Sequence, residues 1–315
     1  MDVLVIGCGV SGLSCGIRLA EAGYAVEIWA RDLPPRTTSN VAAAVWYPYK
    51  AYPEHLVVGW SAATYADFVQ LAQVPEAGVM QRAGIELFPW PVEDPWWRAA
   101  VPGFRRATAG ELPAGYQDGY VFEAPVIEMP VYLGYLMRRF EALGGRIMVR
   151  ALASVDEAFA HCDRVINCAG LGARQLVGDR TLTPIRGQVV RVAQAGIERF
   201  WLDDYGPGGV TYIVPRANDC ILGGTADEGS EDLAPDEATA AAILMRCVAL
   251  EPRLRDAAIL EHKVGLRPGR LSVRLEAEQP APGKLLIHNY GHGGAGVTLS
   301  WGCAAEVLGL MEQAS

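Results

Sequence analysis

The first twelve residues constrain the fold of this chain more than any other stretch. Asp2–Ile6 has the apolar composition of a buried strand and runs directly into the pattern Gly7-x-Gly9-x-x-Gly12. In such a turn the first glycine permits the tight bend, the second lets a pyrophosphate approach the backbone, and the third lets the next helix pack closely on the strand. The N–H groups at the start of that helix then face a diphosphate.

The segments that follow strengthen this interpretation. Leu13, Ile17 and Ala20 share one face of a helix, which Gly23 ends. A second strand follows at Ala25–Trp29. A glycine-rich turn alone is weak evidence for a nucleotide site, but strand, turn, helix and strand in this order favour dinucleotide binding.

The composition narrows the possible partners. The chain has 315 residues, of which 51% are apolar and 20% charged, as is ordinary for an α/β enzyme. Its formal net charge is −9, which argues against a nucleic-acid partner because no excess of Lys and Arg is present to neutralise phosphates. We therefore expect a small-molecule substrate.

Three features predict a cytoplasmic protein. Met1–Val3 lacks a basic region, so we expect no signal peptide. No stretch reaches the about 18 consecutive apolar residues of a membrane span, so we expect no membrane partner. The cysteines are odd in number and form no Cys-x-x-Cys pair, which predicts free buried thiols: Cys8, Cys15, Cys162, Cys168, Cys220, Cys247 and Cys303.

The segment after the second strand departs from a plain NAD pattern. In nicotinamide-binding folds an acid usually closes this strand, whereas here Ala30 is followed by Arg31 and Asp32. Residues 36–49 then bring hydroxyls, small residues and aromatics in turn. This segment is either a helix cap with a packed turn, or a surface that a phosphate and a flat ring approach closely.

The rest of the chain alternates strands and helices without a repeat or a long linker. The nucleotide domain is therefore expected to combine both ends of the chain with its middle. The clearest elements are a helix over Met129–Ala142, a strand over Arg146–Arg150, a buried strand that ends in small residues at Asp163–Gly170, strands over 184–226, a helix over Glu237–Leu250 capped by Asp236, a strand over Lys284–Tyr290, the turn Gly291–Gly296 and a helix to about Met311.

These motifs together allow a resemblance to be stated. The chain resembles the D-amino acid oxidase and D-aspartate oxidase family of FAD flavoproteins over nearly its whole length, most closely the D-amino acid oxidases. The motifs that carry the resemblance, in family order, are Gly7–Gly12, Val41–Pro48, Val165–Gly170, Arg186–Gln188, Tyr212–Pro215, Gly223–Thr225, Gly265–Pro268, Val273–Glu276 and His288–Gly294.

The resemblance implies an α/β fold in which a Rossmann-like FAD-binding domain is interleaved with a smaller, strand-rich α+β substrate domain. The expected FAD domain comprises residues 1–50, 140–183 and 256–315. Residues 51–139 and 184–255 would form the substrate domain. The family is often dimeric, so we expect a homodimer by analogy.

The implied reaction oxidises a D-amino acid by hydride transfer from Cα to N5 of a non-covalent FAD. The products are a 2-oxo acid, ammonia and, with O₂ as oxidant, H₂O₂. Arg274 would grip the substrate carboxylate, Tyr212 would donate to it, and the backbone carbonyl of Gly294 would hold the amino group. Strand alternation by itself places Arg274 towards solvent, so its role depends on the resemblance.

The resemblance also implies which residues hold FAD, and it implies that no metal is bound. His288 and His292 lie four apart among glycines and have no suitably spaced Cys or carboxylate partner, so structural roles are expected for them. The expected FAD contacts are Gly7, Gly9, Val10, Ser11, Gly12, Arg31, Asp32, Thr38, Ser39, Ala43, Ala44, Val45, Leu152, Ala169, Gly170, Gly293, Gly294, Gly296, Val297 and Thr298.

The sequence departs from the pattern of this family at the expected substrate pocket. Gly208 and Ala226 stand where family members carry a second active-site tyrosine, and neither provides a cation for an acidic side chain. Tyr47 replaces a common glutamine, and Tyr205 either substitutes for the second tyrosine or lies at the surface. Neutral, apolar D-amino acids are the expected substrates. A glycine or sarcosine oxidase, a D-aspartate oxidase, a D-amino acid dehydrogenase and a non-catalytic flavin- or NAD-binding protein are the alternatives.

Overall fold

The computed structural model describes residues 1–206 and 208–314, so Pro207 and Ser315, the latter the last residue of the expected FAD domain, lie outside the described residues. The helices are α1 (Val10–Glu21), α2 (Glu54–Leu71), α3 (Met129–Ala142), α4 (Val155–Phe159), α5 (Ala173–Leu176), α6 (Glu237–Leu250) and α7 (Gly296–Gln313). The strands are β1 (Val3–Ile6), β2 (Val26–Ala30), β3 (Val79–Phe88), β4 (Arg105–Arg106), β5 (Asp118–Ile127), β6 (Arg146–Val149), β7 (Arg164–Asn167), β8 (Thr183–Ala193), β9 (Phe200–Asp203), β10 (Thr211–Pro215), β11 (Asp219–Gly223), β12 (Asp227–Glu228), β13 (Ile259–Gly269), β14 (Arg274–Ala281) and β15 (Lys284–Tyr290).

The first sheet has the strand order β14-β15-β7-β1-β2-β6. β1 lies parallel to β2 and β7, β15 is parallel to β7, and β6 is parallel to β2, while β14 runs antiparallel to β15. Every residue of β1 and β2 is buried, as expected for parallel strands covered on both faces. The five parallel strands end at one edge, so the turns after β1, β7 and β15 lie side by side there.

Helices cover this sheet. α1 packs on α3 and α7, and α2 also packs on α7. The segment Gly293–Gln313 is long and apolar enough to cross a bilayer by length and composition alone, but 61% of its apolar window is buried inside the fold. Packing against α1 and α2 thus accounts for its composition, and the absence of a membrane partner stays a prediction.

The second sheet has the order β12-β8-β11-β10-β9-β3-β5-β4, and β13 pairs with β8 as an additional strand. β13 runs antiparallel to β8 and places Gly265 opposite Gly187. Residues 259–269 were expected in the FAD domain, but their pairing assigns them to this second sheet. The other domain boundaries stay a prediction.

Several local predictions are confirmed. α3, α6 and β15 have the expected bounds, and the Asp236 carboxylate accepts a hydrogen bond from the Thr239 N–H at 2.7 Å as the N-cap of α6. All seven cysteines are buried and free, as their number and spacing predicted.

Candidate active site

The glycine turn after β1 has no room for side chains. Gly7 has φ +109°, and a Cβ there would lie 2.5 Å from the Cys168 carbonyl oxygen. A Cβ on Gly12 would lie 1.9 Å from the Gly7 carbonyl oxygen. Real side chains never come this close, so glycine is required at both positions: Gly7 lies against the backbone that follows β7, and Gly12 lets α1 approach β1.

The segment Thr38–Val41 crosses the start of α1. It forms a short 3₁₀ turn in which the Ser39 hydroxyl accepts a hydrogen bond from the Val10 N–H at 3.0 Å. A Cβ on Gly9 would lie 3.0 Å from the same hydroxyl oxygen. The backbone of the glycine turn and the hydroxyl of Ser39 therefore face one another at the positive end of the α1 dipole.

The ends of β2, β6 and β7 complete this edge of the first sheet. Arg31 and Asp32 follow β2 directly and form an ion pair at 2.7 Å, with the Arg31 side chain largely exposed. Leu152 and Ala169 pack against one apolar cluster built around β1 and β7. Gly170 begins the turn after β7 with φ +55°. These residues line the side of the crevice expected to receive the adenosine.

A second surface forms where residues 43–47 meet the start of α7. The carbonyl of Ala44 accepts from the Ile127 N–H at 2.9 Å, and Val45 forms a bridge to β5. The Tyr47 N–H donates to the Thr298 hydroxyl at 3.1 Å, and this hydroxyl donates to the Tyr47 carbonyl at 2.9 Å. The extended segment is thereby fixed beside the N-terminal end of α7.

The predicted cofactor residues thus lie along one edge of the first sheet. The glycine cradle and the start of α1 fit a diphosphate, and the start of α7 provides a second group of backbone N–H donors. The turn that leads into α7 is a 3₁₀ turn over Gly293–Ala295. Gly293, Gly294, Gly296, Val297 and Thr298 therefore lie at the carboxyl end of β15, where ligands bind in open α/β sheets.

Tyr212 lies on β10 and covers a glycine pair. A Cβ on Gly223 would lie 2.0 Å from the Tyr212 ring, and a Cβ on Gly224 would lie 2.8 Å from its hydroxyl oxygen. Burial raises the pKa of the Tyr212 hydroxyl, while Arg267 acts against that increase through its charge and a hydrogen bond. Tyr212 is therefore a neutral hydrogen-bond donor held next to a cation.

Arg267, on β13, is that cation. Its Nη1 donates to the Thr225 carbonyl at 2.9 Å, and its guanidinium lies over Gly187, where a Cβ would approach Nη1 to 2.4 Å. A Cβ built on Gly294 would lie 3.8 Å from Arg267 Cδ. The structure thus brings the predicted residues Tyr212 and Gly294 together around Arg267, an arginine for which the sequence had suggested no role.

Arg274 does not fit its predicted role as the carboxylate anchor. It begins the edge strand β14, where Nε donates to Glu276 at 2.6 Å and Nη1 donates to the Tyr290 hydroxyl at 2.8 Å. Nη2 pairs with Glu278. Each guanidinium nitrogen already has an acceptor, and two of the three acceptors are carboxylates, so the charge of Arg274 is already paired within the edge of the sheet. Its pairing supports the edge of the first sheet.

A buried acid lies behind Tyr47. The Tyr47 hydroxyl donates to Glu86 Oε1 at 2.6 Å, and Glu86 Oε2 is buried without a hydrogen-bond partner among the described residues. Burial raises the pKa of Glu86 to about 8, although the Tyr47 hydrogen bond opposes this shift. Glu86 is thus mostly protonated at neutral pH.

The short segment between β9 and β10 covers the pocket. Asp203 Oδ2 accepts from the Tyr116 hydroxyl at 2.6 Å, and its Oδ1 accepts from the Gly206 N–H at 2.7 Å. The Tyr205 ring stacks on Phe88 at 5.8 Å and is 46% exposed. Gly208 is exposed and lies against Arg246. The segment is therefore held at several points.

Both histidines of the last glycine-rich motif are buried. Burial lowers the pKa of His292 to about 4, and its Nε2 lies 3.0 Å from Asn289 Oδ1. The pKa of His288 is also lowered, again mainly by burial. Both rings are thus neutral at pH 7. Among residues 1–206 and 208–314, no group of three or more His, Cys, Asp or Glu side chains is arranged to hold a metal.

The structure also shows pocket residues that sequence patterns did not predict. Arg267 lay inside a recognised motif, but only the pairing of β13 with β8 shows where its side chain lies. Glu86 and Asp204 sit in strand and loop segments without a local signal. Gly187 and Gly265 each lie in a recognised motif, but the sequence does not show that they pair across β8 and β13.

This arrangement defines a class of protein. The crevice fits a dinucleotide whose diphosphate would lie at the start of α1, and the arginine–tyrosine pair beside it suits a small carboxylate. Such a site belongs to an oxidoreductase in which the cofactor performs the redox step and the protein orients the substrate.

The comparison with protein families gives the particular family. A family model described as FAD dependent oxidoreductase (DAO) matches residues 2–309. The chain belongs to this family. FAD as the cofactor and oxidoreductase as the enzyme class, both expected from the sequence, are thereby confirmed.

Individual relatives agree with this assignment. The chain is 56% identical over 308 residues to a D-amino-acid oxidase from Rubrobacter xylanophilus, covering 98% of this chain and 94% of that one. It is 43% identical over 323 residues to a D-amino-acid oxidase from Dictyostelium discoideum, covering 99% and 92%. The solved structure of glycine oxidase from Geobacillus kaustophilus has a TM-score of 0.83 at 20% identity, over 99% and 94% of the two chains, and shows the shared fold alone.

Proposed function

We propose that this protein oxidises D-amino acids, with FAD as cofactor and O₂ as oxidant. The products are a 2-oxo acid, ammonia and hydrogen peroxide. One observation carries the proposal: Arg267, Tyr212 and Gly294 converge at the edge of the cofactor crevice. The names of the two closely related oxidases support the same substrate class.

Arg267 is the carboxylate anchor in this proposal. Its Nη1 is partly committed to the Thr225 carbonyl, which fixes the plane of the guanidinium and leaves further N–H donors for a ligand. A planar fork can bind both oxygens of a carboxylate and so limits rotation of the substrate. The Tyr212 hydroxyl lies beside the fork and donates a further hydrogen bond to the same carboxylate.

The carbonyl oxygen of Gly294 accepts a hydrogen bond from the substrate amino group. Carboxylate and amine fixed at two separate points define which of the remaining two Cα substituents faces the crevice, and this selects one enantiomer. When bound, FAD supplies the electron-accepting ring. The residues Gly7–Gly12, Ser39, Ala43–Val45 and Gly293–Thr298 would hold it.

This mechanism needs no general base from the protein when the substrate amine arrives neutral. Glu86 is buried behind Tyr47 and mostly protonated at neutral pH, and His292 is neutral. We assign neither a proton-transfer step. Glu86 supports the Tyr47 hydroxyl, and His292 contacts the Asn289 side chain.

The proposal is tested by anaerobic titration of the FAD-loaded protein with paired D- and L-amino acids. We expect D-alanine and D-norvaline to bleach the flavin absorption band, and admission of O₂ to restore the band with release of peroxide. Bleaching by L-amino acids, or by glycine in preference to D-alanine, would refute the proposal. Restoration by a dye but not by O₂ would indicate a dehydrogenase instead.

Cytoplasmic location, a homodimer and a preference for neutral apolar side chains remain predictions. Fractionation of the source cells tests the first. Light scattering of the holoenzyme tests the second by the molar mass relative to a 33.9 kDa chain. Comparison of kcat/KM for D-norvaline, D-serine and D-glutamate, measured by peroxide release, tests the third.

A further inference from the structure

The turn that carries the proposed amine acceptor is covered from outside by Arg270. Arg270 directly follows β13, and Gly291, with φ +81°, lies beneath its side chain. A Cβ built on Gly291 would lie 2.9 Å from Arg270 Cδ and 3.0 Å from its Cβ, so the aliphatic part of Arg270 packs on the Gly291 backbone. Gly291 lies three residues before Gly294 in the same turn. The Arg270 side chain therefore limits where the Gly294 carbonyl can lie.

Asp179 holds Arg270 in this place. It lies between α5 and β8, and its side chain is 6% exposed. Its Oδ2 accepts from Arg270 Nε at 3.2 Å and from the Tyr290 hydroxyl at 2.9 Å, while its Oδ1 accepts from the Thr181 N–H at 2.9 Å. Burial alone would raise the pKa of Asp179, but the hydrogen bonds from Thr181 and Tyr290 and the charge of Arg270 lower it to about 2. Asp179 is thus a buried carboxylate that is charged at neutral pH.

The Asp179–Arg270 pair joins two parts of the site that share no strand. Arg267, the proposed carboxylate anchor, lies on β13 in the second sheet. The turn with Gly294 follows β15, which ends at Tyr290 in the first sheet. Asp179 bonds to Arg270 just after β13 and to Tyr290 at the end of β15, so one carboxylate connects the two strand ends. Charge-assisted hydrogen bonds are directional, so this connection fixes the relative position of the two strands.

We propose that Asp179 and Arg270 are positioning residues that set the separation between the Arg267 guanidinium and the Gly294 carbonyl. They act through Gly291 and not by contact with the substrate. The separation decides how well a substrate held at both points directs its Cα–H bond towards the crevice. This inference rests on the proposed function, because it assigns the geometry of the same two holding points.

The test compares the rate of flavin reduction with the binding of a simpler ligand. Anaerobic stopped-flow mixing of the FAD-loaded enzyme with saturating D-alanine gives the rate, and the change in flavin absorbance on titration with propionate gives a Kd. Propionate has the carboxylate but no amine, so it reports on Arg267 alone. We expect Asp179→Asn and Arg270→Ala to slow flavin reduction by about 10- to 100-fold, since misplacement of a held substrate costs that much. The Kd of propionate should stay within about twofold, because the carboxylate anchor is unchanged.

A conservative variant should restore most of the rate. Arg270→Lys keeps the charge and an aliphatic stem over Gly291, and loses the bond from Nη1 to the Ser272 carbonyl. We expect its rate of flavin reduction to lie within about fivefold of the parent, as the loss of one hydrogen bond predicts. A rate as low as that of Arg270→Ala would overturn the inference.

The matched control removes a buried carboxylate elsewhere. Asp219 is 4% exposed, accepts from Arg216 and Arg191, and lies at the far end of the β10–β11 hairpin from Tyr212. Asp219→Asn should lower the midpoint of thermal unfolding but keep the rate of flavin reduction within about twofold, because the lost ion pairs lie away from the site. A loss of rate equal to that of Asp179→Asn would show a general effect of destabilisation and overturn the inference.

The outcomes separate this inference from the proposed function. Reduction of the parent by D-alanine, with Asp179→Asn and Arg270→Ala both within twofold of it, contradicts only the positioning role. Loss of propionate binding in step with the rate would show that the whole site is disturbed, and would also contradict it. Absence of flavin reduction in the parent contradicts the proposed function, and the inference falls with it. Arg270 is 21% exposed, so its two variants decide the matter if Asp179→Asn fails to fold.

Discussion

Replacing Arg267 by lysine keeps a positive charge beside Tyr212 but removes the planar fork. The guanidinium is held over Gly187 and bonded to the Thr225 carbonyl, whereas a lysine ammonium cannot make that bond and grip two carboxylate oxygens in one plane. The loss is at least one charge-assisted hydrogen bond to the substrate. Such a bond contributes about 1.5–3 kcal/mol, so we expect kcat/KM for D-alanine to fall about 10- to 150-fold.

The effect should appear in both kinetic constants. KM rises because the ground state loses a contact, and kcat falls because the Cα–H bond is less well oriented towards the crevice. The assay is initial-rate peroxide release with protein normalised to bound FAD. Arg267→Met should lose more transition-state stabilisation, about 3–5 kcal/mol, because the substrate carboxylate is then left without a cation.

The matched control is Arg274→Lys. Arg274 pairs with carboxylates on an edge strand, and partly exposed ion pairs contribute at most about 1 kcal/mol to stability. We expect its kcat/KM to stay within about twofold of the parent enzyme. If Arg274→Lys lost activity and Arg267→Lys kept it, the assignment of the carboxylate anchor would be refuted.

The remaining predictions concern the glycine turn after β1, the buried acid Glu86, and Tyr205 in the segment between β9 and β10. Gly12→Ala should abolish FAD binding, because a Cβ there meets the Gly7 carbonyl at 1.9 Å; retention of the flavin spectrum on gel filtration would contradict this. Glu86→Gln should remove a pH dependence of the free energy of unfolding. The pKa of Glu86 is raised to about 8 in the fold, so its contribution to stability is complete below about pH 4.5 and is lost as the pH rises through 8. Urea unfolding from pH 5 to 9 should show the free energy of unfolding of the parent falling relative to that of the variant, by up to about 1.4 kcal/mol per pH unit. Parallel curves for the two proteins would show that Glu86 is ionised in the fold. Tyr205→Ala should raise KM only a few-fold, since its half-exposed ring stacks on Phe88. Slower flavin reduction in stopped-flow measurements would instead give Tyr205 a catalytic role.

Local sequence signals predicted the parts of the fold that depend on neighbouring residues. The cap at Asp236, the strand over residues 284–290 and the turn around Gly7 each follow from composition and spacing within a few positions. The family and its cofactor were predicted from the order of such motifs and are confirmed.

The pocket was harder to predict because its residues meet through long-range pairing. Arg267 and Arg274 lie seven residues apart. Strand alternation alone placed Arg274 towards solvent, but no local pattern indicated a role for Arg267. The register that sets Gly265 opposite Gly187 positions the Arg267 side chain, because Gly187 has no side chain to block the Arg267 guanidinium. Strand register between distant segments is not encoded locally.

The central claim is that Arg267 binds the carboxylate of the substrate. A crystal structure of the FAD-loaded protein with a carboxylate inhibitor that lacks an α-amino group tests this claim directly. We predict both inhibitor oxygens within hydrogen-bond distance of the Arg267 guanidinium and one of them within reach of the Tyr212 hydroxyl. An inhibitor carboxylate bound at Arg274, or one that leaves Arg267 paired only with the Thr225 carbonyl, would contradict the account.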